Sequence, residues 1–260
     1  MARSYSPLRY PGGKGILYPL LSNIIHLNGF SLRGYAEPFA GGAGLALPLL
    51  VNFYVSDIYL NDIDPAIWSF WHAILHNTED FVKRIERTEI STEEWYRQRE
   101  IYRNTGDHDP VELGFAAFFL NRTNRSGIIK SGGVIGGSKQ EGKYKVDCRF
   151  NKTDLIRRIR RIAKYRDRIH LYSMDGIQFI DHAESICPNK TFFCIDPPYF
   201  HKGASLYTSF YSENDHQKLA DSVLRLAGKW VVTYDDCKEV RTMYRSVRQK
   251  SLDIWYSASV

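Results

Sequence analysis

Residues 191–199 read Thr191-Phe192-Phe193-Cys194-Ile195-Asp196-Pro197-Pro198-Tyr199. The run 191–195 is apolar and rich in β-branched and aromatic residues, which predicts a short strand. Asp196 ends it. Two successive prolines then remove two backbone N–H donors and stiffen the turn that follows. Comparable strand-like runs occur at 33–39, 54–61, 168–174 and 229–234. Helix-period segments lie between several of them. Residues 64–75 follow the second run. Residues 213–227 follow the fourth, with Ser212 as N-cap, Gly228 just past the end, and Leu219, Val223, Leu226 and Ala227 on one face. This alternation predicts an α/β fold, a mostly parallel sheet with helices on both sides. Ligands of such sheets bind beyond the carboxyl ends of the strands, where Asp196-Pro197-Pro198-Tyr199 falls.

The stretch 78–166 breaks the alternation. Its first half is charged and helical in character, 115–120 is apolar, and 121–142 is a loop heavy in Gly, Ser, Asn and Arg. Residues 153–166 predict an amphipathic helix with Leu155, Ile156, Ile159, Ile162 and Ala163 as its buried stripe. Arg157, Arg158, Arg160, Arg161 and Lys164 surround that stripe. Charge follows the same division. Residues 121–170 carry 15 Lys and Arg against 4 Asp and Glu, while the whole chain of 260 residues has a net charge of +6. One segment therefore holds all of the positive excess, which suits either a polyanion-binding insert or a solvated basic helix. No run of about 18 apolar residues marks a membrane span, and no secretory signal opens the chain. The four cysteines, Cys148, Cys187, Cys194 and Cys237, are widely spaced. They read as reduced thiols of a cytoplasmic protein, not as disulfides or zinc ligands.

Four motifs carry chemistry. In Asp196-Pro197-Pro198-Tyr199 the Pro197 carbonyl and the Asp196 carboxylate can both act as acceptors. An exocyclic amine has two N–H groups to give them. Donating both draws the nitrogen out of conjugation with its ring and frees its lone pair to attack an electrophilic methyl group. Tyr199 offers an aromatic face for an extruded base. Standing alone, such a motif also serves as a proline-stiffened turn with a capping Asp. The second motif, Glu37-Pro38-Phe39-Ala40-Gly41-Gly42-Ala43-Gly44, opens the apolar helix expected at 45–50. Its glycines let a ligand approach the backbone near a helix N-terminus. The third, Asn61-Asp62-Ile63-Asp64-Pro65, ends the next strand. Asp62 is expected to accept from ribose hydroxyls and Asp64 to cap the following helix. The fourth, Pro7-Leu8-Arg9-Tyr10-Pro11-Gly12-Gly13-Lys14, is a backbone-exposing turn closed by a lysine, without the spacing of a phosphate loop.

The ordered set resembles the Dam-type class of adenine-N6-specific DNA methyltransferases, and the resemblance covers nearly the whole chain. The segments Phe119-Leu120-Asn121-Arg122-Thr123-Asn124-Arg125-Ser126-Gly127 and Arg149-Phe150-Asn151-Lys152 are similar to the family's insert. The resemblance implies a Rossmann-like methyltransferase fold formed by 1–77 and 167–260, with a mainly helical target-recognition domain at 78–166. It implies S-adenosylmethionine as donor and no metal. Carried onto this sequence, Tyr10 and Lys14 border the cofactor, and Phe39, Ala40, Gly41, Gly42 and Gly44 line its methionine side. Asp62 holds the ribose and Asp175 sits near the cofactor's adenine. Asp196, Pro197, Pro198 and Tyr199 hold the target amine. Relatives often continue past the W-Y-S segment, here Trp255-Tyr256-Ser257, into a further basic strand. The chain ends at Val260, so that strand is expected to be missing or cut short.

Function is then expected to be methyl transfer to a flipped-out adenine in duplex DNA by a monomer. Arg122, Arg125, Lys139 and Arg149 are the expected DNA contacts, each with plain surface charge as its alternative. Gly132-Gly133 and Gly136-Gly137 suggest a loop or hairpin that orders on DNA. Three rivals stand beside this: an RNA adenine methyltransferase, a cytosine-N4 enzyme, and a silent DNA-binding protein on the same fold. Asp196 speaks against the second, whose relatives more often carry Ser there. The intact D-P-P-Y speaks against the third.

Overall fold

Alternation of side chains along five short strands sorts the molecule into three layers. The computed structural model describes residues 5–9, 14–29, 33–106, 108–186, 190–201 and 211–253; Tyr10 lies outside them, as does the side chain of Lys14. The strands are β1 (Gly34–Glu37), β2 (Asp57–Asn61), β3 (Ile169–Tyr172), β4 (Thr191–Ile195) and β5 (Lys229–Val232). They pair in parallel in the order β3-β2-β1-β4-β5. The order reverses between β1 and β4, and crevices at such a reversal are where open α/β sheets take their ligands.

Tyr35, Ile58, Leu60, Ile169, Phe192 and Cys194 point to one face of the sheet. Their alternates Ala36, Phe193 and Ile195 point to the other, as period-two geometry requires. The first face is covered by α1 (Tyr18–Leu27), α2 (Ala46–Val51) and α3 (Pro65–His76), and then by α4 (Thr78–Arg87), α5 (Thr92–Arg103), α6 (Pro110–Thr123) and α7 (Lys152–Ala163). The second is covered by α8 (Gly176–Ile186), α9 (Glu213–Arg225) and α10 (Lys238–Met243). No helix among the described residues is long and apolar enough to cross a membrane.

The five expected strands and the principal helices form where the sequence puts them, with three differences at helix ends. α6 runs on to Thr123, into the stretch 121–142 expected as a loop. The helix expected to run to residue 227 stops at Arg225. The backbone N–H groups of Ala227 and Gly228 instead donate to Glu184 Oε1, at 2.8 and 3.2 Å. Ala227 is consequently exposed and not part of the apolar face. Its start is as read, with Ser212 and Asp215 forming a reciprocal capping box. The basic helix expected over 153–166 ends at Ala163 in a tight turn, Tyr165 N donating to Ile162 O at 2.8 Å.

Residues 78–166 bring their own helices but share a core with the sheet layer. Phe81 and Phe118 pack on Phe70 of α3 and on each other, with ring centroids 5.6–5.8 Å apart, and Phe115 packs on Phe81 at 5.7 Å. Helices α3 and α6 touch closely at Gly114. A Cβ there would lie 2.6 Å from Ser69 C and O and 2.7 Å from Phe70 N, all main-chain atoms. Gly114→Ala would gain about 1 kcal/mol of helix propensity, yet it must push two backbones apart. A net loss of roughly 1–3 kcal/mol in unfolding free energy is expected. An unchanged urea midpoint would show that the two helices separate freely.

Candidate functional site

Because all five strands run the same way, their carboxyl ends deliver five loops to one edge of the sheet. These are 38–44, 62–64, 173–175, 196–200 and 233–235. Asn61, 1% exposed, ties two of them to the end of β2. Its Nδ2 donates to Pro38 O and to Met174 O at 2.9 Å each, and its Oδ1 accepts from Met174 N at 3.0 Å. Nothing in the local sequence gives Asn61 this role.

The glycine turn after β1 takes left-handed backbone at Gly41 (φ +48°) and at Ala43 (φ +46°). Gly41 is held from both sides. Its carbonyl accepts from Trp71 Nε1 at 2.8 Å, and its N–H donates to Asp62 Oδ2 at 2.9 Å. Asp62 Oδ1 accepts from Asp64 N at 3.0 Å. Burial, and the negative charge of Asp64 behind it, push the Asp62 carboxyl up to about 7 despite those two bonds. Asp64 caps α3 as expected, accepting from Ala66 N at 2.9 Å. Each Asp62 oxygen holds one N–H and retains a second acceptor direction. A desolvated carboxylate of this kind, beside a glycine-lined turn, fits the vicinal hydroxyls of a ribose.

Asp175 caps α8 through Ile177 N at 2.9 Å, and its other oxygen accepts from Tyr211 OH at 3.2 Å. Burial first, and Asp175 second, raise the Tyr211 hydroxyl well above the ordinary phenol. Phe39 meets Tyr211 edge-on at 5.7 Å. Its ring lies over Gly176, where a Cβ would come 2.4 Å from Phe39 Cζ. The glycine therefore sets how low the Phe39 ring can sit. Ala40, Gly41 and Gly42 are buried and Gly44 is half-buried.

Pro197 and Pro198 are buried, while Asp196 and Tyr199 are half-exposed. Thr233 Oγ1 donates to Asp196 Oδ1 at 2.7 Å, and Phe200 N donates to Asp235 Oδ1 at 3.0 Å. One strand away, Glu37 accepts from Tyr35 OH at 2.9 Å and from Ala46 N at 3.0 Å. Burial, helped by the charge of Asp196, pushes Glu37 up to about 8. Under Phe200 lies His216, 1% exposed, with ring centroids 5.0 Å apart. His216 Nδ1 shares a hydrogen bond with Tyr234 OH at 2.8 Å. Neither Thr233, Asp235 nor His216 stands out in the sequence. The signal that could have found the first two is their place at a strand's carboxyl end.

The expected DNA contacts divide into two kinds. Arg122 Nε donates to Arg149 O at 2.7 Å, and its Nη2 donates to the same oxygen. Burial, together with the neighbouring Arg9, Arg158 and Arg149, lowers Arg122 to about 9. Arg125, Lys139 and Arg149 are exposed. The flanking asparagines finish backbone. Asn121 Oδ1 accepts from Arg9 N at 2.6 Å and its Nδ2 donates to Arg9 O at 2.8 Å, which docks the N-terminal segment on α6. Asn124 Oδ1 accepts from Trp95 Nε1 at 2.6 Å.

The model of the D12 class N6 adenine-specific DNA methyltransferase family matches residues 10–259. The chain is also similar to the Type II methyltransferase M.MjaIII of Methanocaldococcus jannaschii. The two are 22% identical over 232 residues, which cover 85% of this chain and 77% of that one.

Proposed function

We propose, since this chain belongs to the D12 class N6 adenine-specific DNA methyltransferase family, that its strand-end loops divide one reaction among them. The chain is an S-adenosylmethionine-dependent enzyme that methylates adenine in DNA. The observation that carries the division is that β1 and β4 are parallel neighbours, so the glycine turn and Asp196-Pro197-Pro198-Tyr199 leave adjacent strands at their carboxyl ends, where the strand order reverses. Asp62 accepts from the ribose hydroxyls, and the turn at 39–44 borders the methionine portion. Asp175 lies near the adenine of the cofactor, and Tyr10 and Lys14 border the cofactor. When bound, S-adenosylmethionine supplies a sulfonium-activated methyl group.

The target adenine leaves the duplex and stacks on Tyr199. The Asp196 carboxylate and the Pro197 carbonyl accept its two amino N–H groups. The nitrogen lone pair is thereby turned out of the ring system, toward the cofactor side of the loop. The prolines keep the acceptors rigid, so that alignment is built in before the base arrives. Residues 78–166 carry target recognition, with Arg125, Lys139 and Arg149 reaching DNA directly. Arg122 braces Arg149 from behind and adds to the same field. Burial lowers the pKa of both Arg9 and Arg122, and the charge of Arg149 lowers each further. This supports the reading, because crowded cations are relieved by a polyanion.

Transfer of a labelled methyl group to unmethylated duplex DNA, with recovery as N6-methyladenine, tests the reaction; preferential labelling of RNA would favour the rival substrate. The triple variant Arg125→Ala, Lys139→Ala, Arg149→Ala tests the interface. Its DNA affinity should fall less steeply with salt, by about 0.9 in the log–log slope for each phosphate no longer neutralised. An unaltered slope would remove these residues from the interface.

A further inference from the structure

We propose that Thr233 is a positioning residue for the methyl-transfer step, holding the Asp196 carboxylate in the rotation that receives the target amine. The inference rests on the role proposed above for Asp196. It starts from a deficiency in the loop itself. Pro197 and Pro198 have no N–H, so two of the five residues from Asp196 to Phe200 cannot anchor the loop through their own backbone donors. Residues that follow β5 hold the loop at both of its ends.

Sheet register delivers them. Ile195 is the partner of Val232, and the pairing continues one step, Thr233 N donating to Ile195 O at 2.9 Å. That bond sets Thr233 beside Asp196, where its hydroxyl donates to Oδ1 at 2.7 Å. Two residues on, Asp235 accepts Phe200 N at 3.0 Å. Thr233 therefore fixes the first residue of the loop and Asp235 the last. Between them, Tyr234 engages His216, which supports Phe200 from below.

The torsion that turns a carboxylate is soft and broad. A 2.7 Å bond from a residue whose own main chain is locked into the sheet restricts that torsion. Thr233 touches neither base nor donor in this reading, and it acts only through Asp196.

The test compares Thr233→Val, which keeps shape and loses the hydroxyl, with Thr233→Ser, which keeps the hydroxyl. Steady-state methylation of unmethylated duplex DNA and equilibrium binding of S-adenosylmethionine are measured for each. Thr233→Val should lower kcat about 10- to 100-fold while KM for DNA, cofactor affinity and thermal midpoint stay near wild type. Thr233→Ser should recover kcat to within about threefold. A Thr233→Val enzyme with unchanged kcat overturns the proposal. So does one that loses kcat, affinity and thermal stability together without rescue by serine, since that marks a merely structural role. Asp196→Ala is measured in parallel. If that variant also stays active, the reading of Asp196 has failed; if it is inactive while Thr233→Val is normal, only the role of Thr233 has.

Discussion

Asp196→Ala should lose methyl transfer by about a thousandfold while binding S-adenosylmethionine almost as tightly as the unaltered protein. The size follows from what is removed. A preorganised charged acceptor aimed at a reacting group contributes on the order of 10²–10³ in rate, and the amine would lose one of its two fixed partners. The sparing of cofactor binding follows from geometry. Asp62 and the glycine turn hold their own bonds at β1 and β2, and none of these passes through residue 196. Asp196→Asn separates charge from shape, and it should fall nearer to alanine than to aspartate, since an amide accepts more weakly than a carboxylate. Single-turnover methylation alongside equilibrium cofactor binding checks both halves. Near-normal turnover in Asp196→Ala would remove this residue from the reaction.

Asp62→Ala should weaken S-adenosylmethionine binding about 100-fold, equivalent to roughly 2.7 kcal/mol, the scale of two hydrogen bonds to a charged group. It also releases Gly41 N and Asp64 N, so Asp62→Asn is the cleaner companion. The pH dependence is the sharper readout. Burial and Asp64 raise this carboxyl to about 7 in the free protein, and ribose hydroxyls bind its ionised form better. Cofactor affinity should therefore climb as pH rises toward 7 and level off above it, with one proton released on binding at lower pH. Stability runs the other way. The protonated form suits the folded state, so this group's contribution is full below its unfolded value near 3.8. It is lost as pH rises through about 7. Asp62→Asn should flatten the affinity curve below pH 7, and titration by calorimetry would report it. A curve as steep as the wild type's would assign the proton to another group, Glu37 being the nearest in value.

Much of this was legible from short-range features. Alternation of apolar runs with helix-period segments is a local property, and so are the caps at Asp64 and Ser212. The glycine turn and the proline-locked Asp196 loop announce themselves because Gly and Pro limit the backbone wherever they stand. Helix ends were less legible. α9 ends at Arg225, and Glu184, on another helix, takes the N–H groups of Ala227 and Gly228; no pattern within 213–227 records that. The segment from Asn121 to Arg125 shows the same limit. Arg122 and Arg125 read as DNA contacts there, yet Asn121 and Asn124 beside them spend their side chains on backbone and Trp95, and Arg122 is tied to Arg149.

What the sequence determined by itself was the strand order, the alternation with helices, and the family, since each is written in contiguous residues; the same runs mark the loops proposed to carry the chemistry. What only the tertiary structure decided was how those loops are held: Asn61 bonding to Pro38 and Met174, Asp62 turned to Gly41, and Thr233 fixed on Asp196. The reason is physical. A hydrogen bond between residues 37 or 113 positions apart depends on strand register and sheet order, and these are set by burial of the whole core and by no local run of the chain.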